Sequence, residues 1–222
     1  MLKEKLELSD FKNILIATSK TITANRNYLC ELDSVIGDGD HGITITSGFE
    51  KIINIITAKD FADSADLLKA AGSSFMATVG GTTGPIFGYL FIEMGNKLKE
   101  ISNGRDIPVG TDEIFIMAEA AMKKIMKLGG AKPGDKTMID ALYPAVNSLQ
   151  QSVKENLSLS TAFKLMADAA LSGAQSTREM IALKGRARYA GERAKGYQDS
   201  GATSLYLILN EFNVFVNSQQ KY

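Results

Sequence analysis

Apolar residues recur at three- and four-residue intervals along almost the whole chain, and no segment alternates apolar with polar residues at period two. The first spacing places side chains on one face of a helix, whereas a half-buried strand requires the second. The chain is therefore read as all-α. Phe11, Ile14, Leu15, Thr18 and Ile22 give the first example, with Ser9 suited to cap the turn before them. The same pattern predicts helices over 9–23, 25–32, 42–57, 63–75, 84–101, 111–128, 135–153 and 160–182, with 202–217 closing the chain. Thr111, Asp135 and Ser160 stand just before apolar runs, while Gly104, Gly129 and Gly173 mark candidate stops or tight helix contacts. No repeat, low-complexity tract or composition shift marks a linker, so residues 1–222 are expected to form a single domain.

Composition narrows the partners. With 222 residues, 45% of them hydrophobic, an ordinary core can be buried without disulfides. Because 25 basic residues balance 25 acidic ones, no global field would hold a nucleic acid or an anionic membrane. An anionic ligand must be held by local geometry. Cys30 is the single cysteine and the start MLKEKLELSDF lacks an apolar leader, so a cytoplasmic protein is expected. The longest apolar stretches, such as 86–95, fall far short of the roughly 20 residues a membrane span needs.

Four stretches break the helical pattern: 32–42, 77–85, 129–138 and 185–204. All are rich in glycine and polar groups, a composition suited to a backbone that bends sharply or approaches a ligand. In the first, Asp33, Asp38 and Asp40 fall within eight residues, and Gly37 and Gly39 free the backbone between them. Carboxylates gathered so closely repel one another and call for a cation. Oxygen donors without cysteine favour a hard ion, above all Mg²⁺, which is usually shared with substrate phosphates. Gly37, Gly39 and Gly42 also satisfy GxGxxG, but no strand precedes them and two aspartates lie within. As a calcium loop the run fails, with Gly42 at a ligand position and Ile43 where glycine is obligatory. No GxxxxGK[ST] occurs, so a nucleotide would not be held by a P-loop.

His41, the sole histidine, directly follows the aspartates. Two readings stand for it: a helix-start residue satisfied by local hydrogen bonds, or a phosphate contact. Gly80 to Gly84, with Thr82 and Thr83, suit either a phosphate contact at a helix start or a close helix crossing. Gly129, Gly130 and Gly134 repeat that design. Residues 185–204 carry Arg186, Arg188, Arg193 and Lys195 among four glycines, and are either a solvated loop or a cationic lid over phosphates.

Taken together, DSVIGDGDHG, GGTTGP, GGAKPGDKTM and GRARYAGERAKGYQDSGATS, in that order, resemble the nucleotide-binding domain of dihydroxyacetone kinases over about residues 9–217. The resemblance implies a barrel of eight antiparallel helices with a nucleotide site at one end, holding ADP or ATP through two Mg²⁺ ions. It implies metal ligation by Asp33, Asp38 and Asp40. It assigns nucleotide contacts to His41, Gly42, Ile43, Thr44, Thr83, Gly84, Gly129, Met138, Arg186, Asp199, Ser200 and Gly201, with Arg186 also catalytic. Where the family often reads Asp-Pro-Gly this chain has Asp199-Ser200-Gly201, so a looser turn is expected. A free-standing chain of this length resembles the bacterial phosphotransferase-system form. The implied partners are a dihydroxyacetone-binding kinase subunit and a phosphocarrier subunit, and a homodimer is expected. Two further readings are an ATP-dependent kinase subunit for another small ketose, and an ADP-loaded regulator binding a transcription factor.

Overall fold

A computed structural model describes residues 3–218. Among them lie nine α-helices: α1 (Leu8–Ala24), α2 (Arg26–Ile36), α3 (His41–Ala58), α4 (Ser64–Thr78), α5 (Thr83–Ile101), α6 (Thr111–Gly129), α7 (Ile139–Lys154), α8 (Leu159–Ser176) and α9 (Ser200–Ser218). Two 3₁₀ segments, Thr177–Glu179 and Arg186–Ala194, lie between α8 and α9. The all-α reading holds for the described residues.

Eight of these helices form the wall. Each of α3 to α8 packs on its successor, α1 packs on α3, and α9 returns to α1 to close the ring. Neighbours joined by short connections must run in opposite directions, so the helices alternate up and down. One rim consequently collects the connections 25–40, 79–82, 130–138 and 177–199, and the other collects 59–63, 102–110 and 155–158. All four glycine-rich stretches fall on the first rim. α2 is too short for the wall and lies across that rim. Its first residue packs so closely on the start of α3 that a Cβ at Gly42 would stand 2.0 Å from the Arg26 carbonyl oxygen. At the opposite rim, Leu6 and Val109 exchange two backbone hydrogen bonds of 2.8 Å, tying the segment before α1 to the α5–α6 connection.

The barrel is filled by large apolar side chains, with Phe11, Phe49, Phe75, Phe91 and Phe163 fully buried. Phe49 meets Phe75 and Phe91 edge-on at 5.9 and 6.2 Å, and Phe163 meets Phe212 at 5.8 Å. Such edge-to-face pairs add to the burial of the rings. Gly173 is a tight helix contact, since a Cβ there would approach the Asp140 carbonyl oxygen to 2.0 Å and force α8 off α7.

Five helix boundaries differ by two residues or more from the sequence expectation, all at the first rim, among them the end of α4, at Thr78 rather than 75. α2 runs on to Ile36 rather than stopping at 32, so Asp33 is helical. α7 begins at Ile139 rather than 135, because Lys136 has a left-handed backbone (φ 58°) and the Asp140 carboxylate folds back onto the N–H groups of Gly134 and Thr137. α8 ends at Ser176, not 182, and α9 starts two residues earlier than expected, at Ser200.

Candidate nucleotide and metal site

The last full turn of α2 presents Asp33, half-buried, toward the connection that carries Asp38 and Asp40. Its Oδ2 accepts the N–H groups of Asp40 (3.1 Å) and His41 (3.3 Å), which fixes the connection against the start of α3. Gly37 leaves room for this, as a Cβ there would lie 2.5 Å from Asp33 Oδ1. One carboxylate oxygen each from Asp33, Asp38 and Asp40 thereby comes within 4.8 Å of the others, with Asp38 and Asp40 exposed. Three oxygen donors at this spacing, open on one side, fit a hard divalent cation that also binds solvent or phosphate oxygens. Arg186, from the 3₁₀ segment Arg186–Ala194, pairs its guanidinium with Asp38. Ser200, at the start of α9, donates its hydroxyl to Asp33 Oδ1 at 3.3 Å.

Helices α3, α5, α7 and α9 all begin at this rim, at His41, Thr83, Ile139 and Ser200. Neither Asp40 nor Thr82, the residues that precede α3 and α5, caps its helix with its own side chain; Asp33 takes the His41 N–H, and the N–H groups beyond it carry the positive end of the helix dipole to the rim. Gly42 is buried in the first turn of α3, with Ile43 exposed and Thr44 half-buried beside it. Thr83 and Gly84 hold the equivalent place in α5. A Cβ at Gly80 or Gly81 would meet nothing, and Gly81 has φ 63°, so these two glycines serve a turn and not a helix crossing. Gly129 ends α6 close to Ile86 of α5. Met138 is buried against the first turn of α9, where a Cβ at Gly201 would lie 3.7 Å from its own.

The imidazole of His41 points away from the rim. It is 7% exposed, meets Ser204 Oγ at 3.0 Å through Nε2 and lies beside the Phe87 ring. Burial lowers its pKa to about 4, against the opposing pull of Asp33, so the ring is neutral at pH 7. Its partner is thus a residue of α9, remote in sequence, and only its backbone faces the carboxylates. Asp199 caps α9 by accepting the Ala202 N–H at 2.7 Å. Burial drives its carboxyl up to about 7, and Asp140 and Asp33 push the same way, against the Ala202 N–H and Lys136.

Sequence reasoning passed over Lys136. Its side chain is 1% exposed and its Nζ donates to the carbonyls of Thr177, Met180, Ala194 and Tyr197, at 2.8, 3.3, 2.6 and 2.7 Å. One signal was available: a lysine in the first turn of the helix predicted over 135–153 would oppose the dipole, which argues for a different backbone there. Arg188 stacks on Tyr189 and Lys195 pairs with Glu192, and among the described residues Arg186 is the lid cation paired with the carboxylate cluster.

Residues 35–213 match the DAK2 domain. The chain belongs to the DAK2 domain family. It is 36% identical to the PEP-dependent dihydroxyacetone kinase ADP-binding subunit DhaL of Escherichia coli, over 92% of this chain and 95% of that one. It is 33% identical to the L-erythrulose kinase of Pectobacterium atrosepticum, over 92% of this chain and 34% of the relative. The crystal structure of the C. freundii dihydroxyacetone kinase in complex with AMP-PNP and Mg²⁺ superposes with a TM-score of 0.67 at 24% identity, covering 96% of this chain and 35% of that chain. The chain thus spans nearly the whole of one DAK2 relative and about a third of the longer ones, and the structural likeness establishes the shared barrel.

Proposed function

We propose that this chain is the nucleotide-holding subunit of a dihydroxyacetone-kinase-type phosphotransferase. In this reading it retains ADP or ATP through two Mg²⁺ ions ligated by Asp33, Asp38 and Asp40. It accepts a phosphoryl group from a phosphocarrier protein and passes it to a triose carried by a partner subunit. The observation that carries the reading is the convergence of the three carboxylates, within 4.8 Å, on a rim where the starts of α3 and α5, neither capped by the side chain of the residue before it, and Arg186 also meet. Further support comes from the E. coli relative, named for ADP binding, and from the C. freundii kinase, crystallised with AMP-PNP and Mg²⁺.

The chemistry asks little covalent work of the protein. Phosphoryl transfer is governed by positioning and by stabilising charge on the transferring group. When bound, Mg²⁺ would screen the phosphate oxygens from one another and from the aspartates. The N–H groups that open α3 and α5 would receive phosphate oxygens, and the Arg186 fork would meet the group in transit. A second reading, a kinase subunit for another small ketose, is favoured by the match to an L-erythrulose kinase.

Nucleotide released from the purified chain by acid, and identified by chromatography, tests the first part. Mixing the loaded chain with its partner kinase subunit, with dihydroxyacetone or erythrulose, and with either a phosphocarrier or ATP tests the second. Retained ADP that exchanges slowly and turns over only with the phosphocarrier is expected. Efficient turnover on ATP alone, with rapid nucleotide exchange, would place the chain among ATP-dependent kinases instead.

A further inference from the structure

We propose that Lys136 is the positioning residue of the lid, fixing both feet of residues 177–197 so that Arg186 is delivered to the carboxylates at a set place. The inference rests on the nucleotide-holding function and adds to it a residue that makes no contact with ligand.

The four carbonyls that meet Lys136 Nζ are not neighbours in sequence. Thr177 and Met180 belong to the segment leaving α8, and Ala194 and Tyr197 to the segment entering α9. One ammonium with three N–H groups is shared among four acceptors, so the two feet converge on a single atom. Two backbone bonds strengthen the junction: Gly196 N–H to Arg178 O at 2.8 Å, and Leu183 N–H to Asp135 O at 3.0 Å. Ala182 and Ala194 add an apolar contact with Ile36 at the end of α2. Between the feet the chain is exposed at Arg186, Arg188, Tyr189, Glu192 and Arg193, with a kink at Gly191.

Burying a lysine is costly unless its charge is met, and here Asp199 and Glu179 lie within electrostatic reach while the carbonyls supply the hydrogen bonds. The backbone at Lys136 is left-handed as well, which a non-glycine residue adopts at some expense. A connection that served only to join α8 to α9 would need neither feature. Both are explained if the arch must keep its feet still while its centre admits and covers a ligand. Arg186 then samples a restricted arc above Asp38, not the range open to an untethered loop.

The test compares wild type with K136G, which removes the ammonium and suits the left-handed backbone, and with K136R, which keeps a cation of different shape. Release of a fluorescent ADP analogue in Mg²⁺ is expected to be about tenfold faster from K136G and intermediate from K136R. Amide exchange on the nucleotide-free wild type supplies a readout that needs no variant. Residues 177–183 and 194–199 should be protected, 185–193 should exchange fast, and Mg²⁺ with ADP should slow only the latter. Uniform exchange across 177–199 overturns the role. So does a K136G that melts lower yet releases nucleotide at the wild-type rate, the signature of a merely structural lysine. Wild-type chain that binds no nucleotide would instead overturn the proposed function itself, and the positioning role with it.

Discussion

The guanidinium of Arg186 and the carboxylate of Asp38 form an ion pair that joins the lid to the carboxylate cluster across the mouth of the barrel. Both side chains are substantially exposed, 63% and 45%, so the pair adds little to folding. Its interest is that an arginine stands where a metal ion and phosphate would need the same carboxylate.

Two opposite effects are therefore expected of Arg186→Ala. Phosphoryl transfer in the reconstituted system should slow by about 10²-fold, as when a donor to the transition state is lost. Mg²⁺ alone, followed by calorimetry without nucleotide, should bind at least as tightly as to wild type because a competitor for Asp38 is gone. Stability should shift by no more than about 0.5 kcal/mol. A large fall in melting temperature with unimpaired transfer would make the arginine structural.

The three aspartates should separate by experiment. Asp33→Asn weakens the acceptor of the Asp40 and His41 N–H groups and is expected to cost about 1 kcal/mol of stability together with Mg²⁺–ADP binding. Asp38→Asn and Asp40→Asn should lose binding with the fold unharmed. Unchanged ADP affinity in both of the latter would remove them from the metal site.

Gly37→Ala is a probe that changes no charge. The added methyl would stand 2.5 Å from Asp33 Oδ1, so the carboxylate must move and the cluster must open. Mg²⁺-dependent ADP affinity is expected to fall at least about tenfold while the thermal midpoint changes modestly. Equal affinity in wild type and variant would show that the cluster tolerates displacement of Asp33.

Two groups at the rim with displaced titrations oppose each other in acid. His41 titrates near 4 in the folded chain and near 6.5 when unfolded, so the unfolded state takes up the proton first and stability falls as pH drops from 6.5 to 4. Asp199 titrates near 7 folded and near 3.8 unfolded, so the folded state binds the proton first and stability rises over nearly the same interval. His41→Gln removes only the first. Urea unfolding at pH 7 and pH 4.5 should show the variant gaining about 2–3 kcal/mol on wild type in acid. A difference that does not vary with pH would mean that His41 takes up its proton over the same pH range in the folded chain as in the unfolded one.

Legibility in the sequence followed how local each cause was. The wall helices were readable because apolar periodicity is written within each one, and the carboxylate cluster because its members lie close together along the chain. The ends at the rim were not, since they depend on partners far away. α8 stops at Ser176 where the Thr177 and Met180 carbonyls turn to Lys136, some forty residues earlier. α7 starts late because Asp140 reaches backward to Gly134 and Thr137 instead of extending the helix. His41 illustrates the same limit, its polar partner Ser204 lying on the last helix.

The alternation of the wall leaves the chain unequally tolerant of changes in length. A residue inserted within any wall helix turns everything beyond it by about 100° around the axis. For α3, α5, α7 and α9, which start at the site, that would misalign the core; for α4, α6 and α8, which end there, it would swing the rim connection itself. The exposed stretches at 59–60, 103–106 and 155–156 lie in the connections of the other rim, where an extra residue can bulge into solvent without rotating either neighbour. Insertions, whether arising in lineages or engineered, should survive at those three places and be purged almost everywhere else.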